Sequence, residues 1–444
     1  MKNNPRGVAI DILHQWQRDK QPVEQVCEQG LADFVGDPRD RQLAWSMVLG
    51  VVRHLRYLDW IISKFSKHPL TKMKPLTLQA LRVGVYQLLF LDRVPASAAI
   101  NETVKALKNA RQPRWLTGFV NGLLRNVDRN RANLAGDDLA PAVRYSHPDW
   151  LVKRWQARYG AKRSEELCRS NNILPPLTLR IDLGQDGISD YIDALQKAEI
   201  EAEIGRFAPA AVTLPGYRGT VRDLPGYGQG WFQVQDEAAQ LVSILLAPFA
   251  DGAYLDGCAG LGGKTTHLAR LLPESAQLVA VEPSESRRVL LQENLARLQL
   301  AHRVKVVAGE LADLCKGSER FSGILIDAPC SGLGVVRRHP DIRWNREEKE
   351  LPRYQARQLD LLATAAGLLQ PEGVLVYATC SMEPEEDEQV IDRFLLDHPE
   401  FVLTDAGEYL PPSCGELLND RGMLCTAPDL HNLDGFFAAR LVKS

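Results

Sequence analysis

The sequence predicts an α/β protein in three parts: an all-helical front over residues 1–135, a small α+β module over 145–235, and a parallel α/β body over 236–444. Three observations predict it. Apolar residues recur at three- and four-residue intervals through the front, strand-like runs begin near Leu177, and short apolar strands alternate with helices from Asp236 onward. At 444 residues, 45% hydrophobic and 25% charged, the chain is long enough for two or three cores rather than one.

The helical periods of the front cover residues 6–17, 39–65, 76–91, 97–110 and 115–130, with Pro69, Pro75, Pro95 and Pro113 between them, as proline stands at helix boundaries. The total charge of −3 conceals an asymmetry. Residues 1–145 hold 22 lysines and arginines against 13 aspartates and glutamates, a balance of +9 that leaves −12 for the rest. Such a basic front joined to an acidic body is the electrostatic footprint expected of a nucleic-acid-binding domain, although a solvated basic helical face would give the same count.

Residues 133–141 read as a small acidic loop, and His147-Pro148-Asp149-Trp150 opens a helix running to about Tyr159. Strands follow at 177–181 and 211–214 with a helix at 190–197 between them, then a stretch dense in proline and glycine from 214 to 230. In the body the candidate strands are 253–255, 278–281, 304–307, 324–326 and 374–378, with helices such as 286–298 and 351–369. A parallel sheet covered on both faces binds its ligands outside the carboxyl ends of its strands, so the residues after each strand carry the function.

After the first of these strands stands Asp256-Gly257-Cys258-Ala259-Gly260-Leu261-Gly262-Gly263-Lys264-Thr265-Thr266. Its glycines let the backbone approach a ligand, and the helix that follows aims its first amides there. Such a turn suits dinucleotides, phosphates and S-adenosylmethionine alike. It is not a phosphate-binding P-loop, because that spacing requires glycine where Cys258 stands. Glu282 ends the second strand, where a carboxylate can take both hydroxyls of a ribose. Glu310, after the third, is either a contact to the exocyclic amine of an adenine or an exposed loop acid.

The last two strands are followed by Asp327-Ala328-Pro329-Cys330-Ser331-Gly332 and Thr379-Cys380-Ser381. Eight cysteines in so long a chain, with no Cys-x-x-Cys pair, exclude a disulfide scaffold and give no zinc or other metal site. Cys27, Cys168, Cys315, Cys414 and Cys425 read as small hydrophobes, and Cys258 as packing within the turn. Cys330 and Cys380 differ, standing at strand ends with Asp327, Lys264, Arg337 and Arg338 expected nearby. A thiol beside a nucleoside-bearing cofactor suits one reaction well. C5 of cytosine is a poor nucleophile until a thiolate adds at C6; an acid at N3 assists the addition, and a base must then strip the C5 proton so that the thiol can leave. An unperturbed thiol with a pKa near 8.5 is mostly protonated at neutral pH, so its surroundings matter.

The segments around these residues resemble the successive motifs of the Sun/Fmu family of RNA cytosine C5 methyltransferases. They are 258–264, Asp327-Ala328-Pro329-Cys330-Ser331, Arg338-His339-Pro340-Asp341-Ile342-Arg343-Trp344, the stretch 377–386 around Thr379-Cys380-Ser381, and Gly435-Phe436-Phe437-Ala438-Ala439. The front, with Phe119-Val120-Asn121-Gly122-Leu123-Leu124-Arg125, resembles a NusB-type RNA-binding domain, and the middle module is similar to the family's RNA-recognition-like segment. The resemblance implies a Rossmann-like S-adenosylmethionine-dependent methyltransferase domain. It implies Cys380 as the nucleophile at C6, Cys330 as the cysteine needed for product release, and Asp327 as the acid at N3, which also lines the cofactor pocket. Cys258, Ala259, Gly260, Leu261, Gly262, Gly263 and Lys264 would surround the methionine end of S-adenosylmethionine, with Glu282 at the ribose and Glu310 at the adenine. The implied substrate is 16S ribosomal RNA, naked or in an early small-subunit assembly intermediate, and the implied protein is a monomer. The chain departs from the family at Gly260-Leu261, usually Ala-Pro, at Glu310, usually Asp, and at Asp387, usually Asn.

Two other readings compete. A nicotinamide-dependent oxidoreductase shares the sheet and Glu282 but leaves both thiol motifs without a purpose. A non-enzymatic RNA-binding or assembly factor would retain the front and lose cofactor binding through the altered turn. No apolar run reaches the ~18 to 20 residues of a membrane span, and residues 1–7 carry no signal-peptide pattern, so a cytoplasmic protein is expected.

Overall fold

The computed structural model describes residues 4–134, 138–183 and 187–444. Two compact units divide the chain. One takes the residues up to Ile173 together with Val336–Glu348, and the other takes Leu174–Val335 and Lys349–Ser444.

The first unit is helical: α1 (Pro5–Asp19), α2 (Val23–Ala32), α3 (Pro38–Arg53), α4 (Leu55–Phe65), α5 (Pro75–Phe90), α6 (Ala96–Asn109), α7 (Arg114–Arg129), the short α8 (Pro141–Arg144) and α9 (Asp149–Ser170). Local chemistry sets several of the starts. Pro5 and Pro38 occupy first-turn positions, and the side chains of Asn4 and Asp37 accept backbone amides there. α5 is buried from Thr77 through Leu88 on every face, and α1, α3, α4, α6 and α7 pack against it. The single helix expected over 39–65 is two helices. His54 leaves helical geometry at φ −107°, ψ 18°, and its ring stacks on Phe90 with centroids 4.1 Å apart. The helix expected to end near Tyr159 runs on as α9 to Ser170, interrupted by Gly160 at φ +79°.

The second unit opens with a four-stranded antiparallel sheet of order β2-β3-β1-β4, built from β1 (Leu177–Ile181), β2 (Glu203–Ile204), β3 (Ala211–Leu214) and β4 (Phe232–Val234). With α10 (Gly187–Lys197) it encloses Leu179, Tyr191, Leu195, Val212, Leu214 and Phe232. Then come α11 (Glu237–Ile244), β5 (Ala253–Asp256), α12 (Gly263–Leu271), β6 (Gln277–Glu282), α13 (Glu285–Arg297), β7 (Val304–Ala308) and β8 (Phe321–Asp327).

At Val335 the chain leaves this unit, and its next stretch packs within the helical unit. That stretch holds the short α14 (Ile342–Asn345). Arg343 is fully buried, and its guanidinium donates to the carbonyls of Ser146 (3.0 Å) and Asn171 (3.1 Å) and to Asn172 Oδ1 (2.9 Å). With no carboxylate among these partners, burial lowers its pKa to about 9. The Trp344 indole donates to Val52 O at 2.8 Å, Asp341 accepts from Val23 N at 3.1 Å, and Arg53 donates to Arg337 O at 2.6 Å.

The second unit resumes with α15 (Leu351–Leu368), β9 (Leu369–Thr379), α16 (Glu388–Asp397), β10 (Phe401–Thr404), β11 (Leu424–Cys425) and β12 (Phe437–Lys443). The main sheet has the order β10-β12-β9-β8-β5-β6-β7, with β11 paired to β12. β9, β8, β5, β6 and β7 are parallel, as expected, while β12 and β10 add antiparallel strands at one side. Leu255, Ile324, Leu325, Ile326, Leu375 and Val376 are inaccessible to solvent, so both faces of the central strands are covered. The register pairs Asp327 with Ala378, and Ala328 N donates to Ala378 O at 2.8 Å. The segments after β8 and β9 therefore leave the sheet side by side. Among the described residues no helix is long and apolar enough to cross a membrane.

Candidate active site

The turn after β5 is pinned from below by Asp256, a buried carboxylate that accepts from Cys258 N at 3.3 Å and Thr265 Oγ1 at 2.7 Å. Desolvation, opposed by the Thr265 hydrogen bond, holds this acid up at about 6. Gly260 and Gly262 take φ +56° and +87°, the left-handed region open to glycine. A Cβ placed on Gly260 or Gly263 would meet nothing within 4 Å, so at both positions there is room for a ligand to approach. Leucine at position 261 is half-exposed, and its carbonyl accepts from Asn294 Nδ2 at 3.0 Å.

Glu282, at the end of β6, joins two loops. One carboxylate oxygen accepts Gly260 N at 3.0 Å and the other accepts Ser284 N at 2.8 Å. The buried carboxylate therefore lies against the Gly-rich turn. Lys264 sits over the Phe436 ring, 5.1 Å from its centroid, and ion-pairs with Asp327 at 2.7 Å. Of the basic residues expected near the thiols, Lys264 pairs with the acid that ends β8, whereas Arg337 and Arg338 belong to the stretch that packs with the helical unit. Ala259 N donates to Val281 O at 3.0 Å, and burial beside Asp256 and Asp327 pushes the Cys258 thiol far up, which suits a packing residue. Glu310 is exposed, and its side chain caps the turn over Leu311–Lys316.

Cys330 and Cys380 meet. Their Sγ atoms are 3.1 Å apart. The hydrogen bond to Cys380, then burial, then the carboxylates of Glu386 and Asp327 hold the Cys330 thiol well above its ordinary value, so it keeps its proton. Cys380 O accepts from Gly334 N at 3.0 Å, and a Cβ at Gly334 would stand 2.0 Å from Gly435 O, so the backbone beside this thiol is packed against the residues before β12.

Two residues with no role in the sequence reading support this geometry. Glu386 is fully buried and accepts hydrogen bonds from Ser331 N (2.8 Å), Ser331 Oγ (2.5 Å), Ser381 Oγ (2.6 Å) and Gln358 Nε2 (3.2 Å). The serine that follows each cysteine was the available signal. Arg180, on β1, is fully buried, bidentate to Asp182 at 2.9 and 3.0 Å, and donates to Gly263 O at 2.9 Å and Thr266 Oγ1 at 3.1 Å. It fixes the start of α12 from the small sheet, and nothing local in the sequence announces it.

The chain matches the 16S rRNA methyltransferase RsmB/F family over residues 243–442, the NusB family over 3–129, and the RsmF/B-like ferredoxin-like domain over 147–219. It is 36% identical to the ribosomal RNA small subunit methyltransferase B of Klebsiella pneumoniae subsp. pneumoniae, covering 95% of this chain and 96% of the relative. The protein of the same name from Yersinia pestis bv. Antiqua is also 36% identical, over the full length of both. In fold, the chain is similar to the crystal structure of PH0851, with a TM-score of 0.81 at 24% identity over all of both chains. A methyltransferase homolog protein from Pyrococcus horikoshii gives a TM-score of 0.58 at 24% identity, covering 68% of this chain and 98% of that one.

Proposed function

Since this chain belongs to the 16S rRNA methyltransferase RsmB/F family, we propose that it transfers a methyl group from S-adenosylmethionine to C5 of a cytosine in 16S ribosomal RNA, through a covalent bond between Cys380 and C6. The observation that carries the reading is the pair of thiols 3.1 Å apart at the ends of two hydrogen-bonded parallel strands, with Asp327 at the end of one of them. A structural role for a buried cysteine needs no second thiol at contact distance.

The cofactor fits the residues present. Glu282 supplies a carboxylate for ribose hydroxyls beside a turn with room at Gly260 and Gly263, and Asp327 and Lys264 lie at the thiol side. When bound, S-adenosylmethionine supplies an electrophilic methyl group. Glu310 is the proposed adenine contact.

The chain's own residues then act in sequence. Cys380, as thiolate, attacks C6 while the Lys264–Asp327 pair passes a proton to N3 through the Asp327 carboxyl, leaving Lys264 neutral, so the electrons of the C5–C6 double bond are held as an enamine. C5 takes the methyl group. Cys330 then removes the C5 proton, N3 returns its proton to the Lys264–Asp327 pair, the C5–C6 double bond re-forms, and Cys380 leaves as thiolate. The contact between the thiols suits this order. Bonding of Cys380 to C6 takes away the first of the causes that raise the Cys330 thiol, while burial and the carboxylates of Glu386 and Asp327 remain.

The test is adduct trapping. Cys380→Ala should abolish methylation and form no covalent complex with RNA. Cys330→Ala should accumulate a protein–RNA adduct that survives denaturing electrophoresis and requires both S-adenosylmethionine and Cys380. An adduct that builds up in Cys380→Ala would exchange the two roles. Bisulfite sequencing of 16S ribosomal RNA from cells with and without the gene would identify the cytosine.

A further inference from the structure

Each of the two cysteines is followed by a serine, and the two Cys-Ser pairs occupy matching places after adjacent parallel strands. The thiols face one another and the hydroxyls do the same, with Ser331 Oγ and Ser381 Oγ 3.4 Å apart. Both hydroxyls donate to the same carboxylate oxygen of Glu386, while its other oxygen takes Ser331 N and Gln358 Nε2. Gln358 also donates to Pro329 O at 3.1 Å, which closes a ring of hydrogen bonds around the residue before Cys330. Glu386 is itself anchored, because the Tyr377 hydroxyl donates to its carbonyl at 2.6 Å.

We infer that Glu386 is a positioning residue for both thiols, setting Cys380 through Ser381 and Cys330 through Ser331. A buried carboxylate is costly without a compensating set of donors. Here the donors come from both loops at once, and no neutral apolar residue could hold them together. Two thiols must reach one C5–C6 bond from fixed places in turn, so their relative placement is under tight geometric demand. A displacement near 1 Å can cost on the order of 100-fold in rate.

The inference rests on the roles proposed for Cys380 and Cys330, and its test separates the two arms. Ser381→Ala should slow the first step, seen as slower adduct formation when combined with Cys330→Ala. Ser331→Ala, with Cys330 intact, should let the adduct form at the parent rate and then persist. Glu386→Gln should show both defects, with a fall in kcat on the order of 10- to 100-fold and little change in KM for RNA. A further readout needs no RNA. Treating the protein with diamide, a two-electron oxidant that takes up the two hydrogens, should join Cys330 to Cys380 with loss of two hydrogens by peptide mass, rapidly in the parent and more slowly in Glu386→Gln.

A merely structural Glu386 predicts lower melting temperatures in all three variants, with neither step selectively changed and diamide coupling as fast as in the parent. That result overturns the inference. If Cys330→Ala alone forms no adduct, the proposed roles of the cysteines fail instead, and the diamide comparison still decides whether Glu386 sets their spacing.

Discussion

Cys330 Sγ lies 3.1 Å from Cys380 Sγ, although fifty residues separate them in the chain. The hydrogen bond between the two thiols is the first cause of the raised Cys330 pKa, ahead of burial. In Cys380→Ala this cause is gone, so the Cys330 pKa should fall and iodoacetamide should modify Cys330 faster at pH 8 than in the parent. Mass spectrometry of the labelled peptides over pH 7 to 10 measures it. An unchanged midpoint for Cys330 would mean that burial alone raises it.

Glu282 binds two amides that belong to different loops, and a glutamine there keeps the volume but can present only one acceptor oxygen. Cofactor affinity in Glu282→Gln should fall by about 1.5 to 3 kcal/mol, as charge-assisted bonds to the ribose are lost. Titration calorimetry with S-adenosylmethionine reads this directly. Equal affinity in variant and parent would place the ribose elsewhere.

The Arg180–Asp182 pair is almost wholly excluded from solvent, and the same guanidinium holds the first carbonyl of α12. Arg180→Met leaves Asp182 buried without its cation, which should destabilise the protein by about 3 to 5 kcal/mol. Arg180→Lys keeps the charge but not the planar fork, so it should recover only part of that loss and should bind S-adenosylmethionine more weakly than the parent. Urea unfolding and calorimetry test the two halves. Full recovery by lysine would reduce the arginine to a point charge.

Asp256 gives a pH signature. Its folded pKa of about 6 is above the unfolded value near 4, so the fold favours the neutral acid. The resulting stabilisation is present below pH 4 and is lost as pH rises through about 6. Asp256→Asn cannot ionise. Relative to the parent, it should gain on the order of 2 to 3 kcal/mol of stability between pH 4 and pH 7.5. Melting curves at both pH values would show a constant difference if Asp256 does not titrate in this range.

What the sequence made legible was local. The parallel strands were visible because short apolar runs end at polar residues such as Asp256, Glu282 and Asp327, and the two Cys-Ser motifs follow their strands directly. What it concealed depends on distant partners. His54 ends α3 without a proline or glycine, and its ring stacks on Phe90, thirty-six residues away. β12 has its place through antiparallel pairing with distant segments, as in Ala439 with Tyr377 of β9, so Gly435-Phe436-Phe437-Ala438-Ala439 was readable as a motif but not as the start of a strand. Glu310 marks a different gap, because periodicity could not say that its side chain caps the next turn. Arg180 was hidden for the same reason as His54, since its partners at Gly263 and Thr266 lie more than eighty residues downstream.

The stretch Val336–Glu348 has a consequence for biosynthesis. The helices up to Ile173 emerge from the ribosome first, but the groups that cover Val52 O, Val23 N and the Asn172 side chain arrive only with Asp341, Arg343 and Trp344. Until then the nascent helical unit presents these polar groups to water and lacks the indole that packs among its apolar residues. Its maturation is therefore tied to translation of the methyltransferase region, and a product truncated before residue 336 carries a helical unit with an open seam. Supplied as a separate peptide, residues 336–348 should close that seam and raise the melting temperature of a fragment ending at Ile173, as complementation of a split protein does.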